Sequence, residues 1–161
     1  MRWIKHPYLA AAATVLVLGL GAGAARADLA FYTTALTGAS EVPSNASPAA
    51  GIATLTVDTS TLVGTYALQF SGLTAAQTGV HFHTAAAGVN GPVAFGLPLG
   101  SPVAGTWNLT APQYASLVAG SIYLNVHSSA FPGGEIRGQM TLDHVVADEN
   151  MTLGDVKSLY R

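Results

Sequence analysis

A series of short β-rich runs, separated by clusters of glycine, proline, asparagine and serine, extends over residues 28–143 and constrains the fold more than any other feature. No long helical pattern interrupts the series. Short, evenly spaced strands with turn residues between them are typical of a β-sandwich or a β-barrel. The sequence therefore predicts one all-β domain over residues 28–143, built as a sandwich or barrel.

Seven of these runs are predicted as strands, and the alternation within them indicates which face each side chain takes. Ala53, Leu55 and Val57 fall on one face of the second run, because side chains two apart in a strand share a face. Residues 85–102 are rich in glycine and proline, and a loop of that length is usually functional or mobile. The predicted strands are residues 29–37, 52–58, 62–70, 78–84, 103–109, 121–127 and 135–143.

Two short helices are predicted beside the strands. Thr110 and Gln113 match a capping box, and Gly120 supplies a C-terminal stop, so a short connecting helix is expected between them. The tail, residues 144–161, changes in composition, and Thr152 precedes apolar residues at helical spacing. We therefore expect a short C-terminal helix in this tail.

The first residues have the three parts of a cleavable signal peptide. A short cationic region precedes an apolar run, residues 8–21, and an A-x-A cleavage motif ends at Ala27. The apolar run is shorter than the roughly 20 residues that cross a bilayer. Residues 1–27 are therefore predicted to be removed, and we expect a protein exported to the periplasm or the extracellular space, with no membrane anchor.

Charge and cysteine content exclude several functions. Removal of residues 1–27 leaves three basic residues against eight acidic ones, a net charge of −5 with histidine neutral. So few cations cannot form the phosphate-neutralising patch that nucleic-acid binding requires, nor attract anionic lipid. The chain has no cysteine, which excludes disulfides and thiol chemistry. No motif identifies a protein partner.

Histidines are the main lead to a functional site. His81 and His83 lie two apart in a predicted strand, so both project from the same face. His127 ends another predicted strand and shares a face with Tyr123 and Asn125. If the two strands are neighbours, three imidazoles converge, and a three-histidine set suits copper or zinc with a coordination position left open. Nitrogens that bind one ion are expected within about 4 Å of one another.

The same residues have other interpretations. The three imidazoles would instead hydrogen-bond one another, Asn125 and backbone carbonyl groups on a polar sheet face. His144 is either a fourth ligand or an exposed surface residue. Glu135 and Arg137, two apart in the last predicted strand, are expected to serve an ion pair that fixes strand register, in preference to a substrate-orienting arginine.

Four segments of the chain resemble, in order and spacing, the CHRD domain, the module named after chordin, as found in bacterial secreted members of that family. The resemblance covers residues 29–143 and implies an immunoglobulin-like antiparallel β-barrel with a distant likeness to Cu/Zn superoxide dismutase. The segments are Thr37-Gly38-Ala39-Ser40-Glu41-Val42-Pro43, Gly79-Val80-His81-Phe82-His83, Tyr123-Leu124-Asn125-Val126-His127 and Pro132-Gly133-Gly134-Glu135-Ile136-Arg137-Gly138-Gln139.

The dismutase likeness implies a copper site similar to His81, His83 and His127. The bridging histidine, the zinc ligands and the disulfide of such enzymes have no counterpart here, and four histidines after signal removal are too few for a binuclear site. Two hypotheses follow. The first is an exported CHRD-domain binding or structural protein, without enzyme activity, that coordinates copper through a polar histidine face. The alternative is a mononuclear copper enzyme similar to superoxide dismutase.

Overall fold

Alternating burial along the chain defines the first strands: in β1 (Asp28–Thr37), β2 (Ala50–Asp58) and β3 (Val63–Ser71) every second side chain is buried over most of the length. A computed structural model describes residues 28–147, so the predicted signal peptide and C-terminal helix lie outside the described residues. The further elements are β4 (Gln77–Thr84), β5 (Val93–Gly96), β6 (Val103–Asn108), α1 (Ala111–Val118), β7 (Ile122–Ser128), β8 (Ile136–Gln139) and β9 (Thr141–Ala147), with a 3-10 turn at Gly38–Ser40.

The strands form one antiparallel sheet in the order β5-β4-β7-β8-β1-β2-β3-β6, and β9 pairs with β1. The sheet curls into a nearly closed barrel or sandwich. Its two end strands lie close together, since Phe95 of β5 stacks on Trp107 of β6 with ring centroids 5.2 Å apart. The predicted all-β fold is confirmed. Among the residues described, no helix has the length and apolar character needed to cross a membrane.

The core lies inside this barrel and is built from the apolar face of each strand. Trp107 is 2% exposed and stacks between Phe95 and Phe82, whose ring centroid lies 5.0 Å away. Burial of such aromatic side chains is a major source of core stability. Ala53, Leu55 and Val57, predicted to share one face, are all buried, and so are the apolar residues of β4 and β7: Val80, Phe82, Ile122, Leu124 and Val126.

Helix α1 begins as the capping box predicts. The Thr110 hydroxyl accepts a hydrogen bond from the Gln113 backbone N–H, and the Gln113 side chain accepts one from the Thr110 N–H at 2.8 Å. Gly120, with φ of 67°, follows the helix in the left-handed region that favours glycine. Leu117 is buried in the core, so the helix packs against the barrel.

Two details of the strand prediction are wrong. The predicted loop, residues 85–102, contains the short strand β5, which pairs with β4 and is too brief to show an alternating pattern. The predicted last strand is broken at Met140 into β8 and β9, and β9 continues past Asp143 to Ala147. All of β9 is exposed, because it pairs only with β1 and buries neither face.

Candidate metal centre

Two neighbouring strands carry the three histidines that were predicted as ligands. His81 and His83 lie on β4, His127 lies on β7, and the register sets His81 opposite Asn125 and His83 opposite Tyr123. The apolar residues between them point into the core. Because side chains alternate across a strand, the imidazoles all project from the outer face. The predicted convergence of the three rings therefore occurs.

One nitrogen from each ring lies within 4.8 Å of the others. Ring centroids are separated by 5.1 Å for His81 and His127, 5.6 Å for His81 and His83, and 5.9 Å for His83 and His127. The nitrogen separations extend beyond the expected 4 Å. Since metal–nitrogen bonds are about 2 Å, the rings must close by about 1 Å to bind a single ion.

The hydrogen bonds of the rings leave one nitrogen of each side chain without a partner. His83 and His127 each direct Nδ1 to a backbone carbonyl oxygen at 3.0 Å, that of Gly91 and that of Pro132 respectively. Because a carbonyl only accepts, the neutral form of each of these two rings carries its proton on Nδ1 and keeps a free lone pair on Nε2. His81 Nδ1, His83 Nε2 and His127 Nε2 are all buried and unpartnered.

The alternative, in which the rings hydrogen-bond one another, Asn125 and backbone carbonyl groups, is met only in its last part, by the carbonyl contacts of His83 and His127. No hydrogen bond joins the three rings to one another within residues 28–147, and buried polar atoms normally find partners. Metal-bound histidines commonly donate their second ring nitrogen to a backbone carbonyl, as His83 and His127 do here. The donor set is three imidazoles.

Glycines beside the rings provide the space that the cluster needs. A Cβ atom added at Gly79 would lie 2.8 Å from His81 Cε1 and 3.6 Å from His127 Cδ2. A Cβ atom at Gly96 would lie 3.7 Å from His81 Cδ2. Gly79 therefore belongs to the site because it has no side chain. Its position two residues before His81, on the same face, was the signal available in the sequence.

Burial favours the neutral form of His81 and of His83. It is the main cause of the lowered pKa of His81 and of His83, and the nearby His127 lowers the pKa of both further. For His83 the hydrogen bond to Gly91 opposes this effect, and the Arg137 cation adds to it. A neutral imidazole is the form that ligates a metal, so the local electrostatics favour the ligating state at neutral pH.

A buried polar layer adjoins the histidines on the β8 side. The Arg137 guanidinium is 3.4 Å from the centre of the Tyr123 ring, and that ring stacks on His83 with centroids 4.8 Å apart. Both Arg137 and Tyr123 are 2% exposed. Arg137 donates to the carbonyl oxygen of Val89 at 2.9 Å and to Asn90 Oδ1 at 3.2 Å. It thus contacts the segment before β5.

The predicted ion pair involving Glu135 and Arg137 does not form. Glu135 is fully buried, and its Oε1 accepts hydrogen bonds from the Ser47 hydroxyl and the Thr74 N–H, both at 2.7 Å. It therefore connects two loops and shares no contact with Arg137. The expectation failed because both side chains are buried and form their hydrogen bonds with other partners.

His144 lies outside the cluster. Its ring stacks on Phe31 with centroids 4.4 Å apart, and its Nδ1 lies 2.8 Å from an Asp143 carboxylate oxygen. Strand β9 places it beside β1, whereas the other three histidines lie on β4 and β7. His144 is an exposed surface residue, as one of its two interpretations predicted.

Glu41 belongs to the polar layer, although it was not among the predicted site residues. It is 6% exposed, and burial raises its pKa to about 7 although the Arg137 cation lowers it. Asn125, predicted as a supporting residue, donates to Glu41 Oε2 at 3.4 Å, while Glu41 Oε1 and Asn125 Oδ1 have no partner. Gly134 packs so closely on both that a Cβ there would collide with them. Glu41 was visible in the sequence only as part of the first family-like segment.

Comparison with known proteins gives one match. A family model described as CHRD domain matches residues 32–140, which include every residue of the histidine cluster and of the polar layer beside it. No curated protein and no solved structure matches the chain. The likeness to Cu/Zn superoxide dismutase therefore stays a prediction from sequence motifs.

Proposed function

The chain belongs to the CHRD domain family, and from that premise we propose that it is an exported binding or structural module that coordinates copper through His81, His83 and His127. The observation that carries the proposal is the convergence of three histidine rings: each offers a nitrogen within 4.8 Å of the others, and each has a buried ring nitrogen without a hydrogen-bond partner. Leaving three such atoms unsatisfied is costly in a folded protein. A bound cation would satisfy all of them at once.

The ligand types favour copper among the common divalent ions. All three donors are imidazoles, and the described cluster includes no carboxylate. Imidazole suits copper, zinc and nickel, and among these the affinity for a given site is highest for copper. Copper bound there would supply a redox-active cation with at least one coordination position free for an outside ligand.

That free position also supports the second candidate, a mononuclear copper enzyme similar to superoxide dismutase. His81 and His127 are partly exposed, so a small molecule has access to the cluster. The two candidates differ in turnover. Tight copper binding without superoxide dismutation supports the binding module, and dismutation that disappears on His81→Ala supports the enzyme.

Metal analysis tests the common premise. Protein expressed from the full-length sequence, stripped with a chelator and loaded with copper, should retain about one copper per chain. His83→Ala should reduce this to less than about a tenth, while His144→Ala, which removes a histidine outside the cluster, should leave it unchanged. Equal copper retention by wild type and His83→Ala would exclude the site.

Export has its own test. The proposal predicts that the protein recovered from the periplasm or the medium begins at Asp28, because the cleavage motif ends at Ala27. Intact-mass measurement after cell fractionation gives the N-terminus directly. Recovery of the protein in the cytoplasm with residues 1–27 still attached would contradict the export proposal, whatever the result with copper.

A further inference from the structure

We propose that Arg137 and Tyr123 are positioning residues of the histidine site: they hold residues 86–91 against the sheet so that the Gly91 carbonyl fixes the ring of His83. This inference rests on the proposed function, since it assigns a role to side chains that act through one of the three ligands. Neither residue has to touch the metal.

Arg137 provides the attachment point on β8. Its Nη2 donates to the carbonyl oxygens of Val89 at 2.9 Å and Ala86 at 3.4 Å, and its Nη1 donates to Asn90 Oδ1 at 3.2 Å. A planar guanidinium with five donors can reach three acceptors in one short segment, whereas a lysine ammonium is a point charge on a flexible stem. Arg137 is 2% exposed and forms no ion pair within residues 28–147. Its hydrogen bonds to this segment therefore compensate for much of the burial of the guanidinium.

Tyr123 supports the same segment from β7. Because β7 lies between β4 and β8, one face of the Tyr123 ring receives the Arg137 guanidinium and the other receives the His83 imidazole. Its hydroxyl accepts a hydrogen bond from the Gly91 N–H at 3.1 Å and lies 3.5 Å from the Gly91 carbonyl oxygen. The ring thus aligns His83 by stacking while its hydroxyl holds the residue that orients His83.

Gly91 connects Tyr123 and Arg137 to the ring of His83. Its carbonyl oxygen accepts the hydrogen bond from His83 Nδ1 at 3.0 Å. A Cβ atom at Gly91 would collide with the Thr84 carbonyl group, so only glycine allows this close approach to β4. The adjacent Pro92 carbonyl accepts from the Thr84 N–H at 3.0 Å, which fixes the end of the segment.

The contact with Gly91 is the only hydrogen bond that the His83 side chain makes among the residues described, and His83 Nε2 has no partner. Without it, the ring would be free to rotate or to move its proton to Nε2, and the lone pair would be lost to the metal. Partners of this kind, one step removed from the metal, typically change metal affinity by about 10- to 100-fold.

Two conservative substitutions test the roles separately. Tyr123→Phe keeps the stacked ring and removes the hydroxyl, and Arg137→Lys keeps the charge and removes the fork. Tyr114→Phe, which removes a hydroxyl from helix α1 away from the cluster, is the matched control. Ring-nitrogen NMR of the metal-free proteins should show His83 protonated at Nδ1 in wild type and Tyr114→Phe, and a mixture of tautomers in the other two.

Copper titration of the same proteins gives the second readout. We expect Tyr123→Phe and Arg137→Lys to bind copper about 10- to 100-fold more weakly than Tyr114→Phe. Folded Tyr123→Phe protein with the wild-type His83 tautomer and wild-type copper affinity overturns the inference, even if Arg137→Lys does not fold. If wild type binds no copper but the tautomer changes as expected, the proposed function fails while the positioning of His83 by Tyr123 and Arg137 stands.

Discussion

At the scale of single residues, the absence of a side chain at Gly79 matters to the site as much as the three imidazoles do. Gly79 has no side chain, so the His81 and His127 rings can lie close together above β4 and β7. The free lone pairs of the rings arise from backbone carbonyl groups that fix the proton on the opposite nitrogen of His83 and His127. Small changes in packing at these positions should therefore alter metal binding before they alter stability.

Gly79→Ala tests this directly. The new Cβ would lie 2.8 Å from His81 Cε1, so the ring must shift, and we expect copper affinity to fall by about 10-fold with little loss of stability. Calorimetric titration with copper and denaturant unfolding measure the two effects. Gly133→Ala, where a Cβ meets nothing within 4 Å, is the control and should bind like wild type. Unchanged affinity in Gly79→Ala would show that the rings are not tightly placed.

Glu41 leads to a prediction about pH. Burial raises its pKa from 4.5 to about 7 in the folded protein, so the folded state retains this proton more strongly than the unfolded state does. The contribution of Glu41 to stability is therefore present below pH 4.5 and is lost as the pH rises through about 7. Urea unfolding between these limits should show a weaker decline with pH for Glu41→Gln than for wild type.

His81 and His83 have the opposite effect on the pH dependence of stability over part of that range. The lowered pKa values of His81 and His83 make the folded state lose stability as the pH falls below 6.5, because the unfolded state then binds more protons. Comparison of Glu41→Gln with wild type cancels this common effect. An identical pH dependence in the two proteins would mean that Glu41 titrates normally in the folded state.

At the scale of strands and helices, antiparallel register turns a local spacing into a site. The H-x-H pattern on β4 predicted two rings on one face, and alternation on β7 predicted the face of His127. Pairing of β4 with β7, which no local pattern specifies, then brought these faces together. The orienting segment, residues 86–91, could be predicted only as a loop, because its hydrogen bonds are made with Arg137 on a strand far along the chain.

Dependence on long-range contacts also explains why β5 was not predicted and why the predicted ion pair of Glu135 and Arg137 was wrong. β5 has four residues and owes its position to pairing with β4, so its own composition carries little information. The prediction for Glu135 and Arg137 assumed the behaviour of exposed cross-strand ion pairs, but both side chains are buried and hydrogen-bonded to separate loops. Burial of a charged side chain depends on which loops fold over it, and that is a long-range property.

Substitutions at the N-terminal cap of helix α1 should change the stability of the domain without changing the metal site. Thr110→Ala removes the side chain that caps the helix, and we expect a loss of about 1 kcal/mol in the free energy of unfolding. Thr110→Ser should keep most of the cap. Copper affinity should be unchanged in both, because the cap contacts none of the three histidines. Equal stability of Thr110→Ala and wild type in urea would show that the cap contributes nothing.

At the scale of the whole molecule, a disulfide-free barrel supports a small polar site on its outer face. The core is continuous and built from strand faces and stacked aromatic rings, whereas the site uses residues of β4, β7 and β8 together with two loops. The core therefore holds the strands in register, and the register holds the imidazoles. Such a division allows the site to be altered without unfolding the domain.

X-ray absorption of the copper-loaded, full-length-expressed protein tests most directly whether three imidazoles bind one ion. The account predicts three imidazole nitrogens at about 2 Å from copper, and a reduced number in His83→Ala. A copper ion bound by fewer imidazoles in wild type, or a spectrum that does not change in His83→Ala, would contradict it.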